Sequence, residues 1–386
     1  MTFLKEQALD SKRAANVRTR VKTSFLMLRR TLLFTLPILA ISTSLHGRGP
    51  GTYLTFSRPA FVTGPSAPAA PPTDSLGVQA KVVAGQTGPG ARPVANQETI
   101  TRLQIFLDEH SFGPGKIDGR GSEFVGKALK RFQAANGRQP SGQIDPPLQQ
   151  DLEKISPVYA TYTVTESDLH WVGKVPAKPA EKAKLKKLLY RSVLDFVAER
   201  YHADPDFIRK LNPGRNLNDL KSGSTVRVPN VEPFQIETIQ AVPDLPPRPE
   251  FAQNSIKVNT RDRMLDLVEG NRVLASFPVT PGSTSLPAPI GTWKIEKVTT
   301  MPIFRWDEAM LQHGRRSNHF HTISPGPRSP VGIVWIGVNK TGIGIHGTDN
   351  PNTIGRTTSH GCIRLANWDA ARLVNQVTRG MTVEIF

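Results

Sequence analysis

The last third of the chain constrains the fold most, because its apolar residues tend to alternate with polar ones. Residues 255–280 read SIKVNTRDRMLDLVEGNRVLASFPVT, with Gly270 and Asn271 at the centre of the pattern. Alternation with period two on both sides of a Gly/Asn pair predicts a β-hairpin. The stretches TWKIEKVTT, VGIVWIGVNKTGIGIHG and MTVEIF predict further strands, and residues 367–379 predict a helix. We therefore predict a mostly-β domain over residues 252–386.

The N-terminus carries an export signal. Residues 1–30 are rich in lysine and arginine, and the following stretch, TLLFTLPILAISTSL at 31–45, has no charged residue. A membrane-spanning helix needs roughly 20 apolar residues, whereas a signal-peptide core needs roughly 7–15. We therefore predict that residues 1–46 are a signal peptide or an inner-membrane anchor. The rest of the chain is then expected in the periplasm or cell envelope.

Composition predicts a spacer and limits the partners. Residues 47–97 are rich in Gly, Pro, Ala, Thr and Ser, which is typical of a disordered spacer. The net charge of +17 would suit nucleic acid, an anionic membrane or an anionic wall polymer. Zinc-finger spacing and RNA-binding aromatic motifs are absent from the sequence, so we predict no nucleic-acid partner.

Residues 98–155 have the pattern of a small helical module. Three apolar stripes at helical spacing surround the turn FGPGKIDGRGS, so three helices are predicted. Ile117-Asp118-Gly119, followed by Phe132-Gln133 and then Gly137, resembles a peptidoglycan-binding module. The structural alternative is that Asp118 only caps a helix and that Phe132 is only a core residue.

Residues 159–231 predict a small α+β module, with a strand, two short helices and a closing strand. The stretches LNPG and SGSTVRVP resemble the second half of a LysM sugar-binding repeat. The lysine-rich segment AEKAKLKKLLY, at 180–190, is an insertion between the first strand and the first helix of that pattern. A structural spacer is the alternative to a glycan-binding module. Residues 232–251 are punctuated by proline and predict a linker to the mostly-β domain.

The chain has one cysteine, Cys362, in the stretch TTSHGCIRL at 357–365. A thiol becomes a strong nucleophile when a nearby base or cation favours its thiolate. His346, in GIGIHGTDN, and His360 are the nearby candidates. Three interpretations remain open on these residues alone. They are a buried structural cysteine, a metal site formed with the two histidines, and a Cys–His acyl transferase or hydrolase.

A family resemblance distinguishes these interpretations. The stretch IHGTDNPNTIGRTTSHGCIRL, at 345–365, closely resembles the signature of the YkuD-type L,D-transpeptidase catalytic domain. PAPIGTWKI at 287–295 and SPGPRSPVGIVWIGV at 324–338 are similar to earlier elements of that domain, so the resemblance covers about residues 253–386. It implies a β-sandwich-like fold with Cys362 as the nucleophile. It also implies that His346 is the proton donor and acceptor.

The resemblance also implies supporting residues around the nucleophile. Members of the family often have asparagine two residues after the cysteine, where this chain has Arg364. No metal site and no cofactor are expected. The residues assigned to supporting the loop or to forming an oxyanion hole are Ser359, His360, Gly361, Arg364 and Gly347.

The activity implied by the family is transfer of a peptidoglycan stem peptide. Cys362 would form a thioester with a stem tetrapeptide and release D-alanine. Transfer to an amine on another stem would then give a 3→3 cross-link. The expected partners are peptidoglycan stem peptides and glycan strands. The alternatives are an L,D-carboxypeptidase, a protein-anchoring transferase using the same site, and a non-catalytic peptidoglycan-binding scaffold.

Overall fold

A computed structural model describes residues 94–386. The predicted signal or anchor segment and the predicted spacer up to residue 93 lie outside the described residues. Within residues 94–386, no helix is both long enough and apolar enough to cross a membrane.

The first module forms the three predicted helices. Its core is built from one apolar face of each helix, including Leu103, Leu129 and Leu148, all of which are fully buried. The second helix begins where the Ser122 Oγ accepts a hydrogen bond from the backbone N–H of Val125, at 3.3 Å. The helices are α1 (Val94–Glu109), α2 (Glu123–Ala135) and α3 (Pro146–Glu153).

The two motif residues of this module have structural contacts. Asp118 Oδ1 accepts hydrogen bonds from the backbone N–H of Arg120 and from Gln104 Nε2, both at 2.9 Å. Phe132 packs edge-on against Phe106, with 5.0 Å between the ring centroids. Phe132 therefore belongs to the core, as the structural alternative predicts, whereas Asp118 stabilises the turn instead of capping a helix, since Ser122 is the N-cap of α2.

The second module has more helices than the sequence pattern predicts. Two antiparallel strands, β1 (Tyr159–Thr163) and β2 (Thr225–Pro229), enclose the helical part. Thr165 and Asp168 form a capping box that starts an unpredicted helical turn directly after β1. The order T-x-x-D is a recognisable start signal, so this turn was readable from the sequence. The helices are α4 (Glu166–Leu169), α5 (Pro179–Lys182), α6 (Val193–Arg200) and α7 (Pro205–Leu211).

The C-terminal domain is mostly β, as predicted. Its main sheet has eight strands in the order β11-β10-β9-β6-β12-β3-β4-β5. The pairs β12–β3 and β10–β11 are parallel, and the other neighbours are antiparallel. The strands are β3 (Asn254–Asn259), β4 (Met264–Glu269), β5 (Arg272–Pro278), β6 (Gly291–Thr300), β9 (Val334–Val338), β10 (Gly344–His346), β11 (Ile363–Arg364) and β12 (Thr382–Ile385).

Strand β6 joins two halves of this sheet. Its first residues, Gly291–Lys294, pair with β12, and its later residues pair with β9. The register is irregular between Ile295 and Lys297, where the partner changes. Strands that pass between two packed layers commonly do so at such irregularities. The half that contains β9, β10 and β11 carries the motif of residues 345–365 at its edge.

Three short elements form an excursion from this sheet between β6 and β9. They are β7 (Phe304–Trp306), α8 (Glu308–His313) and β8 (His321–Ile323), and β7 pairs with β8. The last helix, α9 (Asn367–Val374), packs on β9 and ends five residues before the predicted position. The Arg248 guanidinium donates hydrogen bonds to the carbonyls of Val374 and Val377, which helps to explain the early end.

The helical module is attached to the C-terminal domain by charged and backbone contacts. Arg131 forms ion pairs with Asp266 at 3.0 Å and with Asp262 at 2.9 Å. The backbone N–H of Gly113 donates to the Ser276 carbonyl at 2.7 Å. These contacts fix the module against β4 and β5.

The segment between the second module and β3 also packs on the sheet. The backbone N–H of Leu245 donates to the Val298 carbonyl at 2.7 Å, and Val242 forms an isolated bridge with Thr300. This predicted linker therefore follows the outer part of β6.

Candidate active site

Two neighbouring strands bring Cys362 and His346 together. In the parallel pair β10–β11, Ile345 lies opposite Ile363 and His346 lies opposite Arg364. Cys362 directly precedes β11. Side chains two residues apart in a strand lie on the same face, so Cys362 and Arg364 share the face of His346. Residues sixteen positions apart in sequence are thus brought to neighbouring positions at the edge of the sheet.

Cys362 is half-buried, and its thiol is held by the loop between β9 and β10. Sγ donates a hydrogen bond to the Gly342 carbonyl at 3.4 Å. Burial raises the pKa of the Cys362 thiol to about 11, although the Gly344 backbone and the Arg364 charge act to lower it. The resting residue is therefore a neutral thiol at pH 7. Its proton must leave when the nucleophile reacts.

His346 is buried, with 5% of its surface exposed. Its Nδ1 lies 2.6 Å from the Gly347 carbonyl. Because a carbonyl can only accept, Nδ1 carries the ring proton and Nε2 has a free lone pair. Burial and the Arg364 charge together lower the pKa of His346 to about 3, although the hydrogen bond to the Gly347 carbonyl acts to raise it. The ring also stacks on Trp335, with 5.4 Å between centroids.

The loop before Cys362 is fixed from both sides. Ser359 is buried, and its Oγ donates to the Cys362 carbonyl at 2.5 Å. Arg364 Nη1 donates to the Thr358 carbonyl at 3.2 Å. Gly361 has a φ of +98°, which favours glycine, and a side chain there would meet Ile343 at 3.3 Å. Ser359 and Arg364 therefore hold the loop, while Gly361 allows its turn.

The second histidine of the motif differs from the first in its surroundings. His360 is exposed on the same loop. Burial and the Arg364 charge lower its pKa, and Glu308 of α8 opposes this effect. Met310 of the same helix lies against Gly342, whose carbonyl holds the thiol. The excursion around α8 therefore lies beside the cysteine, and His319 and His321 are exposed within it.

Metal ligands are not gathered at this site. Across residues 94–386, no group of three or more His, Cys, Asp or Glu side chains is arranged to hold a metal ion. The alternative in which His346, His360 and Cys362 bind zinc has no geometric support in that part of the chain.

Two parts of the chain match known protein families. Residues 253–385 match the L,D-transpeptidase catalytic domain of the YkuD family, and residues 96–151 match a peptidoglycan binding domain. A Bacillus licheniformis L,D-transpeptidase YkuD is 25% identical over 192 residues, which is 50% of this chain and 92% of that protein. The L,D-transpeptidase YkuD of Bacillus subtilis is 31% identical over 144 residues, covering 37% of this chain and 72% of that protein.

The chain belongs to the YkuD-type L,D-transpeptidase family. Solved structures agree at low similarity. The catalytic domain of an Enterococcus faecium L,D-transpeptidase is 18% identical with a TM-score of 0.26, covering 35% of this chain and 98% of that one. For the Ldtfm–avibactam carbamoyl enzyme the TM-score is 0.28 at 19% identity, covering 35% of this chain and 49% of that one. The family assignment therefore rests on the sequence relatives.

The geometry of this L,D-transpeptidase domain also includes residues that the sequence analysis missed. Asn367 begins α9 and is fully buried, and its Oδ1 accepts a hydrogen bond from the backbone N–H of Thr348 at 3.1 Å. Trp335 lies on β9 and stacks on His346. Neither residue stands within the motif of residues 345–365. Their proximity depends on strand pairing, which no local pattern predicts.

The raised pKa of Cys362 gives a direct test of the resting state. At pH 7.5, iodoacetamide is expected to alkylate the native chain about 100-fold more slowly than the urea-unfolded chain, because less thiolate is present. The rate is expected to rise steadily with pH until the pKa of about 11 is passed. Since Cys362 is the only cysteine, bound label measures this thiol alone. A rate that levels off near pH 7 would instead indicate a preformed thiolate.

Proposed function

We propose that the chain is a cell-wall L,D-transpeptidase that uses Cys362 as nucleophile and His346 as general base. The observation that carries this proposal is the pairing of β10 with β11. It places the single thiol on the same face as a buried, neutral histidine whose Nε2 is free to accept a proton. The family membership supplies the substrate class, which is peptidoglycan.

The first half of the reaction makes a thioester. Nε2 of His346 takes the thiol proton while Sγ attacks the carbonyl carbon of the third residue of a stem tetrapeptide. The bond from that carbon to the nitrogen of D-alanine then breaks. His346 returns its proton to the departing nitrogen, so D-alanine leaves with a free amino group and the imidazole is neutral again. The high pKa of the thiol and the low pKa of the imidazole favour proton transfer during attack rather than before it.

The second half of the reaction transfers the acyl group. An amine of a neighbouring stem attacks the thioester carbonyl, His346 accepts the amine proton, and the C–S bond breaks. The proton then returns to the thiolate. The product is a 3→3 cross-link and the thiol is restored. Water in place of the amine would release a tripeptide, and an amine of another protein would anchor that protein.

The remaining motif residues support this chemistry. The backbone N–H groups at Gly361 and Cys362 would stabilise the negative oxygen of the tetrahedral intermediate. The Gly347 carbonyl fixes the His346 tautomer. Ser359 and Arg364 hold the loop, and Arg364 also lies near enough to favour a negative charge at Cys362. His360 is assigned a supporting position at the exposed side of the loop.

The N-terminal parts of the chain support this location of the substrate. The peptidoglycan binding domain, attached to the sheet through Arg131, would keep the enzyme near glycan strands. Residues 1–46 would export the chain or anchor it in the inner membrane. The enzyme would then act in the cell envelope.

A product analysis tests the proposed function. The purified full chain is incubated with disaccharide-tetrapeptide, and protein and products are followed by mass spectrometry. We expect an acyl-enzyme that has the mass of protein plus substrate minus D-alanine, followed by a cross-linked dimer that lacks one D-alanine. As a control, methyl methanethiosulfonate blocks the thiol reversibly. The blocked chain is expected to form neither species, and dithiothreitol is expected to restore both.

The other outcomes separate the alternatives. Tripeptide without dimer would indicate an L,D-carboxypeptidase. Intact substrate and unmodified protein, with an accessible thiol, would contradict the catalytic proposal and favour a peptidoglycan-binding scaffold.

A further inference from the structure

The loop after β10 determines how the catalytic histidine is held. Residues 347–350 form this loop, and its first carbonyl, that of Gly347, accepts the hydrogen bond from His346 Nδ1. A movement of this loop would change both the ring orientation and the tautomer. The groups that hold residues 347–350 therefore act on the base without touching the substrate.

One support reaches the loop from the second module. The Thr348 backbone N–H donates to Asn367 Oδ1 at 3.1 Å. The Nδ2 of the same side chain donates to Glu199 Oε1 at 2.9 Å and to the Pro327 carbonyl at 3.2 Å. These partners fix which end of the Asn367 amide is oxygen. Glu199 lies in α6, so the chain of hydrogen bonds runs from that helix to the residue two positions after His346.

Glu199 is itself held in a single position. Its Oε1 also accepts from the Tyr190 hydroxyl at 3.0 Å, and its Oε2 accepts from Arg328 Nη1 at 2.6 Å. Glu199 is 2% exposed. The Arg328 guanidinium and the Asn367 amide can only donate, so they favour an ionised carboxylate, although burial raises the pKa of Glu199 above its usual value. The network has no spare acceptor and little freedom to move.

A second support comes from the lysine-rich insertion and the residue after it. Arg191 Nη1 donates to the Asp349 carbonyl at 3.1 Å, and its Nη2 lies 3.7 Å from the Asp349 carboxylate. Lys182 lies 3.9 Å from the same carboxylate. The insertion is docked by a backbone hydrogen bond from Leu188 N–H to the Pro325 carbonyl at 3.0 Å. Both supports of the loop thus originate in residues 159–231.

We infer that the module of residues 159–231 is a positioning element of the catalytic site. Through Glu199–Asn367–Thr348 and Arg191–Asp349, it holds the loop that orients His346 and fixes its tautomer. The inference rests on the proposed function of His346 as general base. A module that moved independently would leave Glu199 and Arg328 unpaired in a buried environment, which is strongly unfavourable. The insertion that departs from the LysM pattern docks on the catalytic domain together with Arg191 and α6.

Two substitutions test the two supports in the full chain. Glu199→Gln keeps the shape of the side chain but directs an amide N–H at one of the three donors. It is expected to slow acyl-enzyme formation about 100-fold, the loss typical of a misplaced reacting group. Arg191→Ala removes the other support and is expected to slow it about tenfold, since the first support remains. The matched control is Arg209→Ala, an exposed arginine of the same module that contacts Asn218.

The pH dependence separates positioning from a simple loss of folded protein. Burial keeps the His346 pKa low, Arg364 on the adjacent strand and Cys362 just before it are the titratable groups facing the ring, and the Gly347 hydrogen bond acts to raise the pKa. A loosened loop admits water and weakens that hydrogen bond. Because burial is the largest effect, the pKa of His346 rises and the imidazole protonates at higher pH. The acidic limb of the acylation profile is therefore expected to move to higher pH in both variants. A smaller folded fraction would lower the amplitude without moving the limb.

Nitrogen-15 NMR of labelled histidine gives a readout that does not need turnover. The His346 signal is identified by its absence in His346→Gln. We expect the Nδ1-protonated tautomer alone in the wild type and a mixture of tautomers in Glu199→Gln. If the wild type forms no acyl-enzyme, the proposed function fails, and the NMR measurement still decides this inference.

The inference would be overturned if both variants had the acylation rate, the acidic limb and the tautomer population of the wild type. An equal loss in Arg209→Ala would do the same, because it would trace the effect to general damage of the module. If Glu199→Gln does not fold, Arg191→Ala decides the question, since its side chain is 47% exposed and its removal leaves no buried charge.

Discussion

Replacing His346 by glutamine is expected to lower the rate of acyl-enzyme formation about 10²–10⁴-fold, the contribution typical of a positioned general base. Glutamine can fill the buried site beside Trp335, but its amide cannot accept the thiol proton. The loss is expected in the acylation rate constant, because His346 acts on the thiol rather than on substrate binding. Rapid quenching followed by intact-protein mass spectrometry measures the rate directly.

The matched control is His360→Gln, the same substitution at the second histidine of the motif. His360 is exposed, so its replacement is expected to leave most of the acylation rate intact. The opposite ranking, with a large loss for His360→Gln and a small loss for His346→Gln, would assign the base to His360. Equal large losses would indicate that both histidines take part in proton transfer.

The pH dependence of acylation by the wild-type protein follows from the burial of His346. His346 must be neutral to accept a proton, so activity falls as pH drops through its pKa. Because burial lowers that pKa to about 3, the acidic limb in the wild type is expected well below that of an ordinary histidine. The limb is absent from His346→Gln, which has no group of this kind to titrate.

Local signals explain what was readable from the sequence. The turn at Gly270 and Asn271 lies between β4 and β5 as predicted, because a Gly/Asn pair and alternating residues act over a few positions. The apolar stripes of residues 98–155 became three helices around one core for the same reason. The family signature led to Cys362 and His346, and the parallel pair β10–β11 puts His346 opposite Arg364, two residues after Cys362.

Long-range contacts explain what was not readable. Glu199 and Asn367 are 168 residues apart, and a glutamate in a short amphipathic helix is usually solvated. The burial of Glu199 depends on Arg328, which belongs to the C-terminal domain. The end of α9 was misplaced because Arg248, far away in sequence, donates to the carbonyl of Val374. Sequence periodicity carries no signal for such partners.

These contacts also change how the chain's organisation is understood. The composition predicted modules joined by linkers, which suggests independent motion. The described residues instead share buried ion pairs and backbone hydrogen bonds across the module boundaries, as at Arg328–Glu199 and at Leu245–Val298. Buried charges tolerate separation poorly, so the strength of these junctions can be measured by removing one charge.

Replacing Arg328 by methionine is expected to lower the free energy of unfolding by about 3–5 kcal/mol, because it leaves Asp195 and Glu199 without their buried cation. Arg328 is 1% exposed and donates to Asp195 at 2.7 Å and to Glu199 at 2.6 Å. Methionine fills much of the volume, so the loss reports mainly on charge. Urea unfolding followed by tryptophan fluorescence measures it. The matched control, Arg379→Met, removes an exposed arginine paired with Asp244 and is expected to cost less than about 1 kcal/mol.

The pH dependence of this difference has a definite sign. Burial acts to raise the pKa of Asp195, but the Arg328 guanidinium outweighs it and holds the pKa below its usual value in the folded wild type. A carboxylate with a lowered pKa contributes stability above its unfolded pKa and loses it as pH falls through the folded pKa. Arg328→Met lacks this contribution, so the stability gap between the two proteins should narrow as the solution is acidified below the ordinary carboxyl range. A gap that stayed constant or widened toward acid would show that lost packing, rather than the unpaired carboxylates, destabilises the variant.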